Sequence, residues 1–107
     1  MTAKYWQKGE VLDYTATAKV ANGEVVSLGT RIGVAGDDIP AGETGHLHVV
    51  GVFEMEKATG AITMGAAVYY DAAEKKITTT DSGNVPAGYA AAAADAGDNT
   101  VLVKLLG

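Results

Sequence analysis

His46-Leu47-His48-Val49-Val50-Gly51-Val52-Phe53-Glu54-Met55-Glu56 is the stretch whose reading decides the fold. It begins and ends with polar–apolar alternation, the mark of a strand with one wet face. Its centre, Val49 to Phe53, is apolar on both sides of the pleat and reads as one strand buried on both. The same period of two recurs outward. Val11-Leu12-Asp13-Tyr14-Thr15 and Glu24-Val25-Val26-Ser27-Leu28 are short, β-branched or aromatic in character, and bounded by Gly or Asn. Val68-Tyr69-Tyr70 and Ile77-Thr78-Thr79-Thr80 flank Asp71-Ala72-Ala73-Glu74-Lys75-Lys76, a polar connection of hairpin length. Thr100-Val101-Leu102-Val103-Lys104-Leu105-Leu106 supplies a last strand. Fourteen glycines against two prolines suit many tight turns. The pattern predicts an all-β fold, a small barrel or sandwich of short strands.

One segment argues the other way. Tyr89-Ala90-Ala91-Ala92-Ala93-Ala94-Asp95-Ala96 has the best helix propensity in the chain. An isolated helix this short is marginal in water, and Gly88 and Gly97 bracket it closely. A strand whose small side chains let another element approach is the expectation, with a single helical turn as the alternative.

A faint internal repeat favours the strand. Gly23-Glu24-Val25-Val26 resembles Gly65-Ala66-Ala67-Val68, Gly33-Val34-Ala35 resembles Gly88-Tyr89-Ala90, and Ala41-Gly42-Glu43 resembles Ala96-Gly97-Asp98. Each half then runs into an apolar strand, His46–Val50 in the first and Val101–Leu105 in the second. An extra hairpin accounts for the longer spacing from Gly65 to Gly88. A two-fold pseudo-symmetric barrel is the simplest architecture with this pattern.

Length and composition bound the rest. The chain has 107 residues, 48% hydrophobic and 20% charged, which marks a globular protein and not a disordered tail. A chain of this size buries roughly 65% of its unfolded surface, enough for one modest core. One β domain over 1–107 is expected, with 1–8 an extended arm. The net charge of −5 repels phosphate backbones, so nucleic acid is an unsuitable partner. Without cysteine there is no disulfide, Cys-ligated zinc or thiolate chemistry. The start lacks the apolar stretch of a secretory signal, and the uncharged run Ser82–Ala94 is too short and too broken to span a bilayer. A cytosolic product is the expectation, with assembly into something larger left open and no membrane partner.

No motif for catalysis emerges. Ser27 and Ser82 stand outside any nucleophile elbow, and Gly29-Thr30-Arg31-Ile32-Gly33-Val34-Ala35-Gly36 lacks the Lys-Ser/Thr ending of a phosphate loop. Those glycines read as strand ends and bulges. His46 and His48, two apart on a strand, share a face in the manner of a two-His metal pair, with Asp37, Asp38 or Glu43 as a third ligand. Two polar side chains on the wet face of a strand is the commoner arrangement. Asp37-Asp38 and Asp95…Asp98-Asn99 place oxygens where calcium binds, yet without an EF-hand pattern they read as turn formers. Glu54, Glu56 and Asp71 offer a carboxylate pair for glycoside hydrolysis, but nothing in the sequence singles out the partner of any of them. No enzyme, metal or cofactor is expected.

Binding fits the residues better. Ala3-Lys4-Tyr5-Trp6-Gln7-Lys8-Gly9 holds the only tryptophan and a neighbouring tyrosine, ahead of the first strand. Aromatics near a chain end either plug the core or anchor the chain on a partner. Core-plugging is the commoner case, and an extended arm is suited to adding a strand to another sheet's edge. Tyr5 and Trp6 are therefore the candidate partner-binding residues. A second binding reading is a glycan or small-ligand module, in which Tyr69, Tyr70, Tyr89 and Trp6 form an aromatic platform.

Several motifs in order carry a resemblance: Lys8-Gly9-Glu10-Val11-Leu12, Gly23-Glu24-Val25-Val26, Gly33-Val34-Ala35, Ala41-Gly42-Glu43-Thr44-Gly45, Gly51-Val52-Phe53-Glu54-Met55, Gly65-Ala66-Ala67-Val68-Tyr69-Tyr70-Asp71, and Ala96-Gly97-Asp98-Asn99-Thr100-Val101-Leu102-Val103. Over nearly the whole chain the pattern resembles a family of small phage and prophage proteins, long treated as a domain of unknown function and sometimes labelled a recombinase. Its members are capsid decoration, or cement, proteins. Tyr69-Tyr70 stands where the family usually has Tyr-Trp, and Gly88-Tyr89-Ala90 replaces a more usual Gly-Val-Ala. The resemblance implies a β-rich module on the virion's capsid exterior, made in the host cytoplasm, that bridges major capsid protein subunits. It also implies a homo-oligomer, a trimer first. The recombinase label finds neither a phosphate loop nor a basic strip for DNA.

Overall fold

A computed structural model describes residues 1–106, and among them it places nine strands and no helix. In chain order these are β1 (Val11–Thr15), β2 (Val25–Ser27), β3 (Ile32–Ala35), β4 (Thr44–His48), β5 (Val52–Glu56), β6 (Ala67–Asp71), β7 (Lys76–Thr78), β8 (Val85–Ala90) and β9 (Thr100–Leu105). The first sheet has the order β1-β4-β3-β2, the second β5-β9-β8-β6-β7. Every ladder is antiparallel. The all-β sandwich expected from period-two patterning is what forms. The barrel is not: β1 and β2 stay at the edges of one sheet, β5 and β7 at the edges of the other.

The deciding stretch does not make one strand. It is divided between β4 and β5, which belong to different sheets. Gly51 turns the chain at φ +125°, a conformation that strains any side chain, and its carbonyl accepts a bond from the Leu105 amide at 3.0 Å. Because the chain changes sheets, the in–out alternation restarts after the crossing. Val49 is buried, but Val50 and Val52 face water at 38% and 51% exposure, so the doubly buried centre does not occur.

The alanine segment also departs from expectation. Strand β8 starts earlier, at Val85, and ends at Ala90. Beyond it only Ala94 retains a bridge, to Ile62. Pro86, an apparent breaker, sits inside β8 because the β6–β8 register shifts between Val68 and Tyr69 at its partner position. Bulges are where a strand tolerates proline. The helical turn does not form.

Two apolar clusters hold the sheets. The larger gathers Met55, Val68, Tyr70, Ile77, Val101, Val103 and Leu105 in the second sheet and takes in Ile32 and Val34 from the first. The smaller packs Val20, Val26, Ile39, Leu47 and Val49 on the opposite face of the first sheet. All four residues of β3 are buried, which the alternation explains: Ile32 and Val34 serve one cluster, Ala35 the other. Each fully buried aliphatic side chain contributes about 2 kcal/mol of transfer free energy.

Main-chain bonds outside the ladders come in matching pairs. Gly23 and Gly65 donate to the carbonyls of Ala35 and Ala90, both at 2.8 Å. Val20 and Ile39 exchange bonds with each other, as do Ile62 and Ala94. Val49 donates to Glu10 and Leu105 to Gly51, while Ala16 donates to Glu43 and Lys57 to Asn99.

Candidate functional site

Nothing of the body covers the aromatic arm. Residues 1–9 lie outside every strand, and Tyr5 and Trp6 are 80% and 84% exposed. They plug no core. The radius of gyration is 14.5 Å, against about 13 Å for a compact chain of this length, in keeping with a projecting segment. The arm is rooted where the Val49 amide donates to the Glu10 carbonyl at 3.0 Å.

The two histidines part company. His46 is exposed, 3.7 Å from both the Asp13 and the Asp37 carboxylates, a weakly held surface cluster. His48 is half-buried, its ring centroid 6.0 Å from that of Phe53, so it joins the two sheets by packing. Among the described residues no group of three His, Cys, Asp or Glu side chains is spaced to hold a metal ion.

The loop acids are occupied with their own turns. Asp38 accepts from the Asn22 amide at 2.8 Å, and Asp98 from the Asp95 amide at 2.8 Å. Asp71 accepts from the amides of Ala73 and Glu74, closing the β6–β7 hairpin. This is the turn-forming role expected of Asx residues. Glu54 makes a single long contact with the Thr100 hydroxyl, 3.4 Å.

The four aromatics are not brought together. Tyr70 is buried, and its phenol titrates above its ordinary value because burial disfavours the phenolate, with Glu24 and then Asp71 adding to the effect. Tyr69 points to the other side of β6, as strand alternation requires. Tyr89 is 41% exposed on β8 with the Lys104 ammonium 5.9 Å from its ring centroid. Trp6 lies on the arm.

A groove of about 630 Å³ opens between the sheets, unforeseen from the sequence. Val25 and Val34 form one wall, Phe53 and Met55 the other, and Lys75 and Lys76 close an end. Its residues come from six separated segments, so no local pattern announces it. The second wall is β5, an edge strand. Gly51 and Lys57 bond across to Leu105 and Asn99. Counting by twos, the main-chain groups of Phe53 and Met55 face β9, and those of Glu54 point away from the sheet.

A strand-built sandwich with a bare arm and an apolar groove between its sheets offers contact surfaces. A family model described as phage cement protein matches residues 6–105, and the chain belongs to that family. The description is that of a capsid-stabilising protein of the virion. No match was found among curated proteins or among solved structures.

Proposed function

We propose that this protein binds the outside of the phage head and stabilises the lattice by bridging neighbouring major capsid subunits, without catalysing a reaction. The family match over residues 6–105 carries this reading. The exposed Tyr5 and Trp6 support a partner-binding role for the arm. A protein that binds only the expanded shell stabilises that state by mass action, and many modest sites summed over a lattice need no exceptional single interface. We read the chain as made in the host cytoplasm and working as a homo-oligomer, a trimer first, matched to lattice symmetry. We also read the two sheets as copies of one duplicated unit, supported by the paired main-chain bonds.

The test is to mix the purified protein with expanded heads that lack it. Saturable density at fixed lattice points is expected; no binding to heads ends the reading. Deleting Met1–Lys8 is expected to weaken head binding while leaving the melting temperature within a few degrees. The reverse outcome would make the arm part of the fold.

A further inference from the structure

We propose that copies of this chain associate head to tail, the bare outer face of one copy's second sheet receiving Leu12 and Leu28 of a neighbour's first sheet. The contact repeats between chains the packing that joins the two sheets within one. The proposal rests on the reading of the sheets as copies of one unit and of the protein as a homo-oligomer, and it names the surfaces that meet.

The strand register supplies the first match. Across the first sheet Val25, Val34, His48 and Val11 pair side by side in one row. Across the second, Ala67, Tyr89, Lys104 and Val52 form the same row on β6, β8, β9 and β5. Residues paired across strands share a face. The first row is covered by the second sheet: Val34 is buried in the larger cluster with Val25 packed against it, and His48 meets Phe53 at 6.0 Å between ring centroids. The second row has no such cover. Val52 and Tyr89 are exposed, with Lys104 over the tyrosine ring. Leu102, two residues before Lys104 and so on the same face, is exposed as well.

The opposing surface matches in the same way. Phe53 follows Val52 as Leu12 follows Val11. Tyr70 stands two residues after Val68, which pairs with Gly88, as Leu28 stands two after Val26, which pairs with Gly33. Phe53 and Tyr70 lie opposite the first row, lining the groove with Val25, Val34 and His48. Leu12 and Leu28 occupy the equivalent places with nothing of the chain to cover them, at 37% and 38% exposure. Outside the arm, five of the eight exposed large apolar side chains among the described residues fall on these two surfaces. Left in water, they forgo the burial that the same places gain inside the chain.

The two surfaces differ, and every copy carries one of each. Heterologous contacts of this kind form rings where the rotation closes, which accommodates a trimer and is distinct from a two-fold pair.

The experiment uses the full chain in solution, followed by sedimentation velocity over a dilution series. Concentration-dependent association is expected. Leu12→Asp/Leu28→Asp spoils one surface and Val52→Asp/Tyr89→Asp the other, and each variant is expected to associate at least about tenfold more weakly. An equimolar mixture of the two keeps one intact surface of each kind and is expected to give pairs and nothing larger. Circular dichroism verifies that each variant is folded. Leu12→Cys and Lys104→Cys chains provide a second measurement, since the protein has no cysteine of its own. A short bismaleimide is expected to join these two variants to each other and neither to itself. A chain monomeric throughout, association that ignores the substitutions, or a mixture that gives no pairs would each overturn the proposal. Association that ignores the substitutions leaves the homo-oligomer reading standing; head-to-tail association in a chain that ignores heads refutes the capsid reading alone.

Discussion

The two sheets run their shared four strands in the same order, and they differ in what fills corresponding positions. Gly33 and Gly88 occupy matching places on β3 and β8, as do Ala16 and Lys57 after β1 and β5. At Gly33 the requirement is mild. Gly33 has ordinary backbone, and a Cβ there would meet Leu47 at 3.2 Å and the His48 carbonyl at 3.3 Å. At Gly88 it is severe. Gly88 sits at φ +145°, and a Cβ would land on the Lys104 carbonyl. The second sheet also adds β7, whose Ile77 is almost fully buried in the larger cluster. At this position one topology therefore supports a tolerant site and a tightly specified one, while the first sheet places its own demand at Gly45, where a Cβ would run into the Ile39 side chain.

Five substitutions test that contrast, beginning with the largest effect. Gly88→Ala combines left-handed strain with a backbone clash and is expected to cost about 4 kcal/mol or prevent folding, whereas Gly33→Ala is expected to cost about 1–2 kcal/mol. Urea unfolding of the two variants compares them directly. Equal losses would mean that the two sites are equally demanding.

Next comes Lys57, buried where the first sheet has Ala16. Its ammonium donates to the carbonyls of Ala58 (3.1 Å) and Asp98 (3.2 Å) and tethers the loop before β9. Lys57→Ala removes those bonds and is expected to cost about 2 kcal/mol. A change below about 0.5 kcal/mol would show that water replaces the ammonium without loss.

Tyr70 gives a smaller, pH-dependent difference. Its phenol is raised in the folded state above the ordinary 10.0, so its contribution is intact below pH 10.0. Above that, the unfolded chain loses the proton first, and stability falls as pH rises through the folded value. Tyr70→Phe is expected to flatten that alkaline fall in thermal melts above pH 10 and leave the pH dependence near neutrality unchanged. An unchanged alkaline slope would place its origin elsewhere.

The smallest effect belongs to the first sheet's surface. His46, between Asp13 and Asp37, is exposed and weakly paired. His46→Ala is expected to shift stability by less than about 0.5 kcal/mol at pH 5 or pH 8. A large loss confined to acid would make the cluster structural.

Much of the fold was legible because short strands advertise themselves by alternation. Val11–Thr15 and the last strand are where the period-two pattern puts them. The run from His46 to Glu56 misleads for a physical reason: five consecutive apolar residues look alike whether a strand is buried on both faces or the chain crosses between sheets. Only the φ of Gly51 separates the cases, and sequence does not display it. Pro86 misleads similarly, since the bulge beside it, with Ala87 as the unpaired residue of β8, exists only in the pairing with β6. At the site, Tyr5 and Trp6 stood out by type and position, but their exposure depends on what the rest of the chain leaves uncovered. The groove was invisible because Val25, Val34, Phe53 and Met55 are neighbours only after folding.

The root of the arm has a mechanical corollary. The arm leaves at the head of β1, which borders β4 alone and matches it over Val11↔His48 through Thr15↔Thr44. A tug transmitted along that strand's axis strains those rungs together, as in shear, instead of peeling them open singly. In the proposed role, an arm so attached resists sudden stretching far better than its few bonds would suggest.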